Sequence, residues 1–168
     1  MNRLIENYSQ EIARVLAKYP PDRRRSAVMP LLYLAQREYG YVKPEQMAEV
    51  GQILGMSVNE VASIVGFYTL YQDQQGGKYR IQICNDMPCS LRGSEKFVDE
   101  LCAALDIQVG ETTSDGLVTV EAVMCLAACD KAPMFQVQSA NGIEYHEHQT
   151  VESALALIET WRQQEMES

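Results

Sequence analysis

Nothing in this chain approaches the ~18–20 consecutive apolar residues needed to cross a bilayer. Apolar stretches such as Ile64-Val65-Gly66-Phe67-Tyr68-Thr69-Leu70-Tyr71 are far too short. The N-terminus, MNRLIENYSQEI, lacks the charged-then-apolar layout of a signal peptide, so a cytosolic protein is expected. Basic residues are few: 14 Lys and Arg stand against 23 Asp and Glu, for a net charge of −9. A strand- or duplex-binding protein needs a basic face, so no nucleic-acid partner is expected, and the acidity serves solubility. There is no G-x-G-x-x-G, and "QQGGK" lacks the spacing of a phosphate loop, so no nucleotide site is expected on this chain. There is also no C-x-x-C, which argues against thiol–disulfide exchange. No internal repeat or low-complexity segment is present.

What remains is the composition of a globular protein, 46% apolar and 22% charged over 168 residues, enough for one domain or two small ones. The first half reads as helical. Apolar residues recur at helical spacing through LIENYSQEIARVLAKY, which stops at Pro20-Pro21. A second helix is expected from Arg23 to Glu38, kinked at Pro30 or restarting near Met29, and ended by Gly40. Pro44 suits the first turn of a third helix ending at Gly51 or Gly55. Ser57-Val58-Asn59-Glu60 is a capping box that opens a fourth.

At Gln72-Asp73-Gln74-Gln75-Gly76-Gly77 the composition turns polar, and the domain boundary is expected here, with residues 1–75 as a helical bundle and 76–168 as an α/β domain. Lys78 to Cys84 alternates as a strand, with Tyr79, Ile81 and Ile83 on one face and Arg80 and Gln82 on the other. Ser94 is expected to cap a helix from Glu95 to about Asp106. Strands are expected at Leu117–Val123, Met134–Gln138 and Ile143–His148, the last two joined by an Asn141-Gly142 turn. Thr150 is expected to cap the final helix. Strand, helix, strand, cysteine loop, hairpin and helix in that order approach the thioredoxin pattern.

Four of the five cysteines form two pairs, Cys84/Cys89 as C-x4-C and Cys125/Cys129 as C-x3-C. Each pair follows a strand, and in a parallel β-α-β unit both strands end at the same sheet edge. If Cys125 to Cys129 takes a helical turn, both of its sulfurs project from one side. Four thiolates suit a [2Fe–2S] cluster, a [4Fe–4S] cluster or a structural zinc. The small Ala127 and Ala128 allow close backbone approach to bridging sulfides, and the wide spacings lean toward iron–sulfur.

The stretches YRIQICNDMPCSLRGSEKF, VGETTSDG and CLAACDKAPMFQV resemble the thioredoxin-like [2Fe–2S] ferredoxins, and more closely the small [2Fe–2S] subunits of NADH:quinone oxidoreductase, respiratory complex I. KYPPDRRRSAVMPLLYLAQREYGYV and VASIVGFYTLY are similar to the helical domain of those subunits. The resemblance implies that Cys84 and Cys89 hold one iron and Cys125 and Cys129 the other. It implies a one-electron carrier beside a partner subunit that bears FMN and binds NADH, with further iron–sulfur subunits beyond. The membrane is then reached only through the complex, at its cytoplasmic face. Equivalent subunits of NAD-linked hydrogenases and formate dehydrogenases are the near alternative, and a zinc-stabilised interaction module the distant one. Ala127 departs from the family, which usually has glycine there.

Cys102 falls on the expected helix beside its buried stripe and reads as a core thiol. His146 and His148 share a face with Glu144, opposite Ile143 and Tyr145, and read as solvated. Arg92 and Lys131 each stand close to a cysteine pair and read first as ordinary surface charges, with the alternative that a cation there would raise a cluster's potential.

Overall fold

The computed structural model describes residues 2–166. A break between Gln75 and Gly76 divides the chain into two compact units.

In the first, α1 (Arg3–Leu16) begins at Asn2, whose side-chain oxygen accepts the Ile5 amide at 3.1 Å. Pro21–Ala27 is a 3-10 turn, and α2 (Val28–Tyr39) starts only after it. Pro30 therefore sits in the first turn of α2, where its missing N–H has no helical partner to lose. Gly40, at φ 80°, ends α2, and Gly55, at φ 65°, ends α3 (Pro44–Leu54). The Ser57 and Glu60 side chains cap α4 (Val58–Phe67) reciprocally, as the capping box requires. Leu31, Leu32, Val42, Val50 and Val61 form the fully buried centre of this bundle. Tyr71 joins that core, but Phe67 is 77% exposed, and Tyr33 and Tyr68 are exposed with it.

The second unit is a four-stranded mixed sheet in the order β2-β1-β3-β4. Its strands are β1 (Tyr79–Cys84), β2 (Val118–Val123), β3 (Phe135–Ser139) and β4 (Gly142–His146). β1 pairs with β2 in parallel and with β3 antiparallel, and β3 and β4 form the hairpin. The helices are a single turn, α5 (Met87–Ser90), then α6 (Ser94–Leu105) and α7 (Val151–Met166). Ile81, Ile83, Val118, Val120, Phe135 and Val137 meet Phe97, Leu101 and Cys102 of α6 and Ala154, Ile158 and Trp161 of α7 in one apolar core. Cys102 is thus a buried core thiol, its pKa raised by that burial and by Asp99.

The opposite sheet face is polar. Arg80 pairs with Glu121, and the Gln82 amide donates to Glu121 at 2.8 Å. Gln136 in turn donates to the Gln82 carbonyl at 2.5 Å. Gln82 is only 1% exposed, so this row satisfies groups that would otherwise cost about 1–3 kcal/mol each unpaired.

Three details differ from expectation. Gly93, at φ 92°, caps α6, while Ser94 is its first residue and is fully buried. Only a residue tolerant of positive φ can turn the chain there. His146 is half-buried against Phe135, ring centroids 5.1 Å apart, and burial holds its pKa below the usual value. Ile143, Glu144 and Tyr145 are all exposed, and within β4 only His146, the Cα partner of Phe135, is partly covered. β4 also ends at His146, leaving His148 beyond the strand.

The 113–117 turn is fastened to α7. Asp115 accepts from the Thr113 hydroxyl, from Nε of Arg162 at 2.8 Å and from the Leu117 amide at 3.0 Å. Chiefly through Thr113, and then Arg162 and that amide, its pKa is held down to about 2. A carboxyl depressed in the folded state stabilises above its unfolded pKa, and that contribution fades as pH falls toward the folded value. Both members of the ion pair are more than a third exposed, so solvent screening leaves about 1 kcal/mol. Asp115→Asn is expected to lower the urea midpoint at pH 7, and the gap from wild type should close between about pH 4 and pH 2. A gap independent of pH would remove the carboxylate from this role.

Candidate metal centre

β1 and β2 run parallel, and Cys84 lies directly opposite Val123 at their C-terminal ends. Cys84, the last residue of β1, is 1% exposed. Asp86 then caps α5 by accepting the Met87 amide at 2.9 Å, with Pro88 in its first turn. That single turn folds Cys89 inward, and it too is 1% exposed. The Ser90 hydroxyl donates to the Asn85 carbonyl at 2.9 Å and closes the loop.

The second pair is built differently. Cys125 to Cys129 does not form a helical turn. Ala127 adopts φ 58°, in the left-handed region, and a 3-10 turn runs Cys129–Lys131. The left-handed residue reverses the chain inside the loop, so Cys129 turns inward and is half-buried while Cys125 is exposed. Alanine in that conformation costs ~1 kcal/mol that glycine would not, which gives the departure at Ala127 a physical meaning.

Cys84, Cys89, Ala132 and Met134 form a small buried cluster against which Leu126, Ala128 and Cys129 pack. The structure thus brings Cys84, Cys89 and Cys129 together and leaves Cys125 exposed, outside that cluster. The Cys89 thiol is pushed up to about 12, first by burial and then by hydrogen bonding and charge from Cys84 and Cys129. Adjacent buried thiols cannot all ionise in the absence of a cation, whereas a metal centre would take them as thiolates and release their protons. All five cysteines are free thiols. Among the described residues, no three or more His, Cys, Asp or Glu side chains are placed to hold a single ion. Two cysteine pairs, as thiolates, would suit a two-iron cluster, in which no single point must be shared by all four.

Two supports have no local sequence signal. The Tyr145 hydroxyl donates to the Leu126 carbonyl at 3.3 Å, tying β4 to the cysteine loop. Nε of Arg92 donates to the Ala132 carbonyl at 3.3 Å. Lys131 faces Glu147 at 3.6 Å, so its charge is already met. Met87, Leu91 and Met124, each a near neighbour in sequence of a cysteine, are all more than 70% exposed. No helix among the described residues is long and apolar enough to cross a membrane.

Residues 12–162 match the family model of the thioredoxin-like [2Fe–2S] ferredoxins. The chain is 39% identical over 145 residues to NADH-quinone oxidoreductase subunit 2 of Thermus thermophilus, covering 86% of this chain and 80% of that one. It is 40% identical over 153 residues to a subunit of the NADH-quinone oxidoreductase of Rhizobium meliloti, covering 91% and 88%. Among solved structures, an NAD+-reducing [NiFe]-hydrogenase in the air-oxidised state superposes with a TM-score of 0.66 at 23% identity. That superposition covers 80% of this chain but 23% of the hydrogenase chain, and it shows likeness of fold.

Proposed function

This chain belongs to the thioredoxin-like [2Fe–2S] ferredoxin family, and from that premise we propose that Cys84 and Cys89 hold one iron and Cys125 and Cys129 the other of a single [2Fe–2S] cluster. When bound, that cluster supplies one-electron chemistry. The chain is then an electron-transfer subunit of an NADH:quinone oxidoreductase, the enzyme named by its relatives at 39 and 40% identity. The observation that carries this reading is the gathering of Cys84, Cys89 and Cys129 in one small apolar cluster within the family's matched span.

The chain's own part is to bind, orient and shield. Ala132 and Met134 keep water from the inner pair, and the Tyr145 and Arg92 hydrogen bonds hold the loops. Cys125 is exposed, and so are the apolar Met87, Leu91 and Met124 that flank the cysteines in sequence, which offers a face for a partner. That partner is the subunit bearing FMN and the NADH site, since this chain has no nucleotide-binding motif of its own. Other iron–sulfur subunits accept the electron beyond it. The membrane is reached only through that complex, at its cytoplasmic face.

Iron and acid-labile sulfide analysis of anaerobically purified full-length protein tests the reading. Two irons and two sulfides per chain, with a rhombic EPR signal on reduction, are expected. Zinc without visible absorption, even after reconstitution, would overturn it. A native pull-down tests the parent assembly, and recovery of hydrogenase or molybdenum subunits in place of quinone-arm subunits would overturn that part alone.

A further inference from the structure

We propose that Arg92 is a positioning residue for the cysteine site, bracing the two cysteine loops against each other and contributing the unmatched positive charge that favours the reduced cluster. The inference rests on the [2Fe–2S] reading for its second part only.

The bracing is visible as a continuous path. The Arg92 amide donates to the Cys89 carbonyl at 3.0 Å. Its side-chain Nε donates across to the Ala132 carbonyl at 3.3 Å. The Ala132 amide, at 3.4 Å, meets the Cys129 carbonyl. One side chain thus links the backbone of Cys89 to that of Cys129, over a gap of forty residues in sequence. The receiving strut is itself held from behind. The Lys131 and Pro133 carbonyls accept the His148 and Gln149 amides at 2.8 and 2.7 Å, and Ala132 is buried. A rigid acceptor lets the guanidinium set the spacing of the loops instead of following them.

The charge argument separates Arg92 from Lys131, which look equivalent in sequence. Lys131 is paired with Glu147. Arg92 makes no ion pair among the described residues, and its one side-chain partner is a neutral carbonyl. Two bridging sulfides and four thiolates outweigh the charge of two irons, so such a cluster carries net negative charge that grows by one on reduction, and an unneutralised cation at the seam favours the reduced form. A guanidinium keeps its charge at every accessible pH, and its planar fork can hold a carbonyl through Nε while the terminal nitrogens remain free for other contacts.

Two substitutions in the full-length chain separate the roles. Arg92→Gln removes the charge, and Arg92→Lys keeps it but lacks the Nε donor. In the cluster-free protein, iodoacetamide labelling of Cys89 and Cys129, read by mass spectrometry, is expected to quicken several-fold in both variants. In the reconstituted protein, Arg92→Gln is expected to lower the midpoint potential by the equivalent of about a tenfold change in the reduction equilibrium, which is 59 mV for one electron. Arg92→Lys is expected to stay within about twofold of wild type by the same conversion. Unchanged labelling in Arg92→Lys would overturn the brace, and an unchanged potential in Arg92→Gln would overturn the charge. If wild-type protein takes up no iron, the cluster reading has failed, and the labelling arm still decides the brace.

Discussion

Replacing Cys89 with alanine is expected to abolish cluster binding while leaving a folded chain. Cys89 is buried in the one-turn helix α5, where its side chain meets Cys84 and Cys129 and no solvent. Loss of an outer-shell partner typically costs a metal site 10–100-fold, and loss of a direct thiolate ligand exceeds that, so affinity should fall by more than about 100-fold. Nothing nearby can replace the sulfur, because the surrounding Ala132 and Met134 are apolar and Cys102 lies in the separate core between α6 and the sheet. Cys102→Ala is the matched control. It removes an equally buried thiol, should cost on the order of 1 kcal/mol of stability, and should leave iron content unchanged. Iron, sulfide and EPR signal would be compared after reconstitution, with far-ultraviolet circular dichroism to establish folding. Wild-type iron in Cys89→Ala would remove that residue from the ligand set, and lost iron in Cys102→Ala would add Cys102 to it.

The second large effect belongs to Phe135. It is fully buried on β3, a central strand, with Cα partners Ile83 on β1 and His146 on β4. Its ring lies parallel to Phe97 at 6.3 Å and against His146 at 5.1 Å. Alanine there leaves a cavity that two neighbouring strands and α6 cannot close without shifting the register. The expected loss is about 3–5 kcal/mol, a large share of the ~5–15 kcal/mol typical of a whole domain. The chain's one tryptophan offers a clean reporter, because Trp161 stacks on Tyr79 at 4.2 Å within the same unit. A fall in the urea midpoint of its fluorescence, without a change in slope, is the expected result. A loss below ~1 kcal/mol would mean that the strands are not packed as described.

How much of this is legible in the residues depends on the range of the interaction. The α4 cap needs only Ser57 and Glu60, and the ends of α2 and α3 need only Gly40 and Gly55, so each can be read within a few residues. β1 is legible because alternation shows in any strand with one apolar face. The Cys125–Cys129 loop is not, since nothing in CLAAC says that Ala127 takes a left-handed backbone in place of a helical one. The single turn α5 is too short for periodicity to register. His146 reads wrongly as solvated because its cover comes from lying opposite Phe135 on β3, while Glu144 on the same face of β4 is exposed as the residues suggest. Arg92 and Tyr145 each act on a carbonyl far away in sequence, and a backbone acceptor leaves no mark in the residue type that carries it.

The polar row beneath the sheet acts as a gauge for the metal centre. Slipping β1 by one residue would turn Arg80 and Gln82 toward Phe97, Leu101 and Ile158, and would strip Glu121 and Gln136 of their partners. Cys84 shares the parity of Arg80 and Gln82, so it would rotate with them, away from Cys89 and Cys129. A mispaired sheet is therefore penalised long before any iron arrives. The proofreading is done by two glutamines, and only a correctly registered chain presents the Cys84 sulfur at the end of β1 beside Cys89 and Cys129, where the proposed cluster would be held.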